Sequence, residues 1–138
     1  MVDENFWGLM SSSHGNRFAL ETHAGPYESW PAKSRLIVDG VMTDNRLPGY
    51  TLLHQFLLDD GYLVVTDYDC PFEECTNFIL LDTKFKTRAT RSLGVPYGSF
   101  LLQKIERSDD THFIATFYTA DRWSLAIQGK RLSLKRLE

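Results

Sequence analysis

The chain has 138 residues, 43% of them apolar and 24% charged, with a formal net charge of −3. That length fits one domain with a sizeable core, and no apolar run approaches the roughly 18 residues of a membrane-spanning helix. Residues 1–5 are acidic and lack the basic flank and apolar stretch of a secretory leader, so the expectation is one soluble, cytoplasmic domain over residues 1–138.

Residues 3–12 carry the only helical spacing, with Phe6, Leu9 and Met10 at i, i+3 and i+4. Gly8 and the serines 11–13 weaken it, so a single short helix is expected there. From residue 17 onward the apolar period is two, which is the strand period. Phe18, Leu20 and Thr22 alternate with Arg17, Ala19 and Glu21, and Leu36-Ile37-Val38 forms a short strand core. Residues 24–33, with Gly25, Pro26, Trp30 and Pro31, read as an ordered loop, and so do residues 42–50, with Pro48 and Gly49.

Residues 51–58 and 62–67 flank Asp59-Asp60-Gly61, and an Asp-Gly pair between apolar runs predicts a hairpin closed by a type I′ turn, with positive φ at both central residues. Residues 77–82 read as the next strand and 84–91 as its polar partner. A second hairpin is predicted over 100–107 and 112–119, and a further strand over 122–128, with Trp123, Leu125 and Ile127 on one face. Leu132, Leu134 and Leu137 make a last strand or terminal turn. About eight to nine strands with frequent turn signals predict a mainly β fold, an antiparallel sandwich or barrel.

Charge is distributed unevenly. Residues 1–82 hold 13 acids and 4 bases, and residues 83–138 hold 5 acids and 11 bases. No lysine or arginine lies between Arg46 and Lys84, a stretch that includes Asp59, Asp60, Asp67, Asp69, Glu73, Glu74 and Asp82. Such polarity bears on partners and association rate rather than on fold. Lys84, Lys86 and Arg88 would share one face of a strand. With no aromatic signature beside them, nucleic-acid binding is not expected of that stripe, and pairing with neighbouring acids is the simpler expectation.

No motif announces catalysis. The four histidines form no metal-protease pattern, no nucleophile elbow or phosphate loop is present, and Cys70 and Cys75 lack the further ligands that structural zinc requires. Asp67-Tyr68-Asp69 after an apolar strand is similar to the nucleophile motif of haloacid-dehalogenase-type phosphatases, but the match spans fewer than ten residues and no crossover helix follows. The carboxylates at 67, 69, 73 and 74 are hard oxygen donors, yet their spacing fits no calcium loop. No metal or cofactor is therefore expected, and both cysteines are expected as thiols.

What remains is an acidic loop with aromatic residues in it. Asp59, Asp60, Asp67, Asp69, Glu73 and Glu74 would supply steering charge, with Tyr68 and Phe72 as apolar anchors. In this character the chain resembles the small bacterial immunity proteins of polymorphic toxin systems, those of contact-dependent inhibition and type VI secretion. The resemblance implies a non-catalytic module that neutralises a cognate toxin in the cytoplasm, its partner a basic protein such as a nuclease toxin. The alternative is a small-molecule-binding β-barrel or an enzyme of unrecognised type, which a deep cavity lined by Phe and Trp would distinguish.

Overall fold

A computed structural model describes residues 17–68, 75–94, 101–118 and 120–137. The predicted helix over 3–12 lies outside them. These described residues form eleven strands: β1 Phe18–Leu20, β2 Lys33–Val38, β3 Val41–Pro48, β4 Thr51–Leu58, β5 Gly61–Asp67, β6 Thr76–Leu81, β7 Thr87–Leu93, β8 Leu102–Asp109, β9 His112–Phe117, β10 Arg122–Gln128 and β11 Arg131–Leu137. They form three antiparallel sheets in the orders β1-β2-β3, β4-β5-β6-β7 and β11-β10-β9-β8. The expected antiparallel sandwich is therefore present, with more strands than predicted and a third layer.

The middle sheet explains the layering. Alternate residues of a strand face opposite sides. In β5 and β6, Leu63, Val65, Phe78 and Leu80 pack with Phe113, Ala115, Phe117 and Leu125 of the C-terminal sheet. The intervening Val64, Ile79 and Leu81 pack with Phe18, Leu36, Val38 and Leu47 of the N-terminal sheet. All six residues of β6 are buried. Apolar runs such as Phe78-Ile79-Leu80-Leu81 are what a strand covered on both faces requires.

Three local readings are corrected. Residues 42–50 do not form a loop, because residues 41–48 are β3, joined to β2 by Asp39-Gly40. Here, at φ +50° and +85°, is a pair of left-handed residues suited to a two-residue hairpin. The Asp59-Asp60 turn does close β4 onto β5, but neither aspartate has positive φ. Gly61 is needed instead for close approach, since a Cβ there would lie 2.1 Å from the Leu81 carbonyl oxygen. Finally, Lys84 and Lys86 are not on a strand. The Asp82 carboxylate accepts from the backbone N–H groups of Lys84 and Lys86, at 2.8 and 3.0 Å, and folds residues 82–86 into a turn. These backbone donors, Lys86 first, hold Asp82 below the usual carboxylate range. Only Arg88 and Arg91 of the basic stripe lie in β7.

Side chains tie the layers together. The Gln55 amide of β4 accepts from the Phe18 N–H at 2.9 Å and donates to the Phe18 carbonyl at 3.3 Å, fastening β1 to the middle sheet. On the far side Arg91 reaches the Leu132 carbonyl of edge strand β11 at 3.4 Å. Among the described residues no helix is long and apolar enough to cross a membrane.

Candidate functional site: an aromatic end built around Tyr50

The corner between β3 and β4 moves the chain from the N-terminal sheet to the middle one. Gly49 turns it at φ +112°, where a Cβ would lie 2.5 Å from the Thr66 hydroxyl oxygen. Hydroxyls hold both carbonyls of the corner. Thr66 donates to the Pro48 oxygen at 2.6 Å, and Ser34 donates to the Gly49 oxygen at 2.7 Å. Behind Thr66, Asn77 donates to the Thr66 hydroxyl oxygen at 3.2 Å and accepts from Ser92 at 2.6 Å. Buried polar groups with their partners in place give a rigid base.

Tyr50 stands on that base. Its N–H donates to the Asp67 carbonyl at 2.8 Å and its hydroxyl to the Pro31 carbonyl at 2.7 Å. Among the described residues four rings surround it, with centroids at 5.1 Å for Tyr68, 5.2 Å for Trp30, 5.3 Å for His23 and 5.8 Å for Tyr27. The rings meet Tyr50 at 74° to 90°, the edge-to-face arrangement that the ring quadrupole favours. Trp30 also touches His23 and Tyr27, and its indole N–H donates to the Gly25 carbonyl at 3.2 Å. Tyr27 opens a short 3₁₀ turn, Tyr27–Ser29, and is 41% exposed beside Glu28.

His23 and Ser34 are 2.9 Å apart, a distance at which a serine nucleophile would meet its base. Their hydrogen bonding argues otherwise. Ser34 spends its one proton on the Gly49 carbonyl, so His23 must donate from Nε2 to the Ser34 oxygen. Ser34 is also fully buried. The pair is a strut between the β1–β2 loop and the corner.

The predicted site residues divide into three groups. Tyr68 is one of the five clustered rings, at the end of β5 from which residues 69–74 continue. Asp69, Phe72, Glu73 and Glu74, with Cys70, lie outside the described residues. Asp59 and Asp60 are at the opposite end of β5, about 25 Å of strand away at ~3.3 Å per residue. Of the described residues, Asp59 and Asp60 therefore do not share a surface with Tyr68. Asp67 is corrected as well: it is 7% exposed, inside the sheet between Thr51 and Thr76, and does not present an open carboxylate.

The other end of β5 has its own organisation. Asp60 of the β4–β5 turn meets Arg88 of β7 at 3.4 Å, so the basic segment does pair with an acid, but β6 lies between the two elements and the pair is not one of neighbouring strands. Asp59 meets Asp110 of the β8–β9 turn, and their shared hydrogen bond raises the Asp59 pKa. Asp109 accepts from the Thr111 N–H and from His112, which lowers its pKa to about 2. Among the described residues no group of three or more His, Cys, Asp or Glu side chains is arranged to hold a metal ion.

The rings of Tyr27, Trp30 and Tyr50 escape sequence reasoning because they come from two segments read separately, 24–33 and 42–50, and His23 precedes the first of them. The available signal was the density of Trp, Tyr and Pro in residues 26–31. His54 stacks on Phe56 at 6.1 Å, and burial pushes its imidazole pKa down. The space between the middle and C-terminal sheets is filled by Phe78, Phe113 and Phe117, all fully buried. A half-open cleft of about 240 Å³ lies where β1 meets β4, lined by Arg17, Phe18, Gln55, Phe56, Leu57 and Tyr62.

The chain matches no family model, no curated protein and no solved structure.

Proposed function

We propose that the chain is a non-catalytic binding module that recognises a basic protein through its aromatic end. The observation that carries this reading is the Tyr50-centred cluster, preorganised by the Pro48-Gly49 corner and adjoining the acid-rich segment that begins at Asp69. Aromatic side chains dominate binding hot spots because they bury much area at small entropic cost. Carboxylates around such anchors attract cationic partners and speed encounter. Lys or Arg side chains on the partner would find ring faces for cation–π contact as well as carboxylates.

The finer reading is an immunity-type inhibitor that covers the basic surface of a cognate toxin in the cytoplasm of the producing cell. The aromatic end and the acid-rich sequence that follows Tyr68 support it. The aromatic filling of the inter-sheet core favours it over a ligand-binding barrel. The cleft lined by Arg17, Phe18 and Tyr62 supports the small-molecule alternative. Its polar groups are already engaged, Arg17 with Asp39 and the Tyr62 hydroxyl, Gln55 with Phe18.

The test is affinity purification from the native host with the wild-type chain and with Tyr27→Ala/Trp30→Ala. The proposal expects a basic protein retained by wild type and lost with the double variant. Equal retention by both, with the variant folded, would remove the aromatic end from the reading.

A further inference from the structure

Residues 122–137 contain five lysines or arginines and no acid, a mirror image of the base-free stretch from 47 to 83. They are the β10–β11 hairpin. Strand pairing determines which of them share a face. Arg122 is opposite Leu137, Ser124 opposite Lys135, Ala126 opposite Ser133, and Gln128 opposite Arg131. Leu125, Ile127 and Leu132 point into the core, so these four pairs form the outer face.

We propose that this outer face is a docking strip for the phosphate backbone of nucleic acid. Charge complementarity is the first argument. Arg17, Arg35, Arg88, Arg107 and Arg136 each meet an aspartate. Among the described residues, Arg122, Arg131 and Lys135 are in no ion pair. Cations on β11 also discourage edge-to-edge pairing, but Arg122 is on an interior strand, where edge protection does not call for it.

The second argument is the floor between the cations. Ser124, Ala126 and Ser133 are small, so a backbone can approach closely; the Ser124 hydroxyl donates to the Lys135 carbonyl at 3.5 Å, which leaves Ser133 as the hydroxyl donor of the floor. Ser and Thr hydroxyls with Lys and Arg are the usual phosphate contacts. Protein interfaces concentrate their binding energy in Trp and Tyr as well as Arg, and none of the eight outer residues of the hairpin is aromatic. The third argument is length. Arg131 and Lys135 are about 13 Å apart along the strand at ~3.3 Å per residue. One strand of a duplex presents a phosphate about every 3.4 Å of axis and winds as it rises, so successive phosphates are farther apart than that and the strip reaches about three of them.

The experiment is anisotropy titration of a labelled duplex of about 20 base pairs against the full chain between about 50 and 200 mM salt. Three neutralised phosphates give a log–log salt slope of about −2.7, a loss of about fortyfold over that range. Arg122→Glu/Lys135→Glu should weaken binding at least about tenfold at the lowest salt and flatten the slope by about two phosphates. The neutral pair Arg131→Gln/Lys135→Gln should give a smaller loss with an unchanged melting temperature, and Tyr27→Ala should leave duplex affinity unchanged. No duplex binding at the lowest salt, or full binding by a folded reversal variant, would overturn the proposal. Competition by poly-glutamate as effective as that by duplex would also overturn it, since the strip would then suit an acidic protein.

Discussion

Arg107 on β8 donates from Nη1 to the main-chain oxygen of Leu57 on β4, 2.8 Å away. The same guanidinium pairs with Asp110 and lies 5.5 Å from the Phe113 ring centroid. One side chain thus joins the middle and C-terminal sheets at their acidic ends, through an edge carbonyl, a turn carboxylate and a core ring. Charge-assisted hydrogen bonds to partly buried groups are worth more than exposed ion pairs. Arg107→Met, which retains most of the apolar stem, should lower stability by about 2 kcal/mol, measured by urea denaturation. A change within error would mean that Arg107 does not hold the sheets together.

The nearby carboxyls predict opposite pH effects. Asp59 has a raised pKa in the fold because of its hydrogen bond with Asp110. Its contribution is therefore present at low pH and lost as pH rises through the folded value. Asp59→Asn should be more stable than wild type at neutral pH, and the difference should vanish on acidification. Asp109, held at about 2 by the Thr111 N–H and His112, has the reverse sign. Asp109→Asn should be less stable at neutral pH, with the gap closing as pH falls from about 4 toward 2. Thermal melts across pH check both, and parallel curves for either variant would contradict the assignment.

Gln55 satisfies both main-chain groups of Phe18. Gln55→Ala should cost about 2 kcal/mol, because a buried N–H and C=O would lose their partners. Hydrogen exchange at the Phe18 amide should accelerate beyond the global change. Selective loss of protection there would separate undocking of β1 from general destabilisation.

Two glycines with positive φ differ in surroundings. Gly40 has nothing within 4 Å of a built Cβ, whereas Gly49 would place one 2.5 Å from Thr66 Oγ1. Gly40→Ala should cost about 1 kcal/mol from backbone strain alone. Gly49→Ala should cost about 3 kcal/mol, the clash added to the strain. Equal losses would show that the corner yields easily, and would weaken the case that it preorganises Tyr50.

The sequence was most informative where one face of a strand is wet. Alternation in residues 122–128 put Trp123, Leu125 and Ile127 together, and the structure agrees, with Trp123 packed on the core containing the other two. Asp109 to Thr111 marked its hairpin. The third layer was harder to see, because Leu63-Val64-Val65 and Phe78-Ile79-Leu80-Leu81 look like strands whether covered on one side or two. Strand β3 was hidden because, before the closing Leu47 and Pro48, its residues 41–46 are exposed or half-exposed. Only Asp39-Gly40 pointed to it. At the candidate site, Tyr68 was legible from its acidic surroundings. Its partners Tyr27, Trp30 and Tyr50 were not, since a cluster assembled across two sheets leaves no local period. Asp59 and Asp60 were grouped with Tyr68 because adjacency in sequence hides the length of the strand between them.

The central claim, recognition through the Tyr50 cluster, is tested most directly by site-specific photocrosslinking in the native host. A photoreactive residue replaces Tyr27 in one sample and Val41 in another. Val41 is 67% exposed at the far end of β3 from the cluster. A covalent adduct with a basic protein is expected from position 27 and none from position 41. An adduct at 41 with none at 27 would contradict the claim.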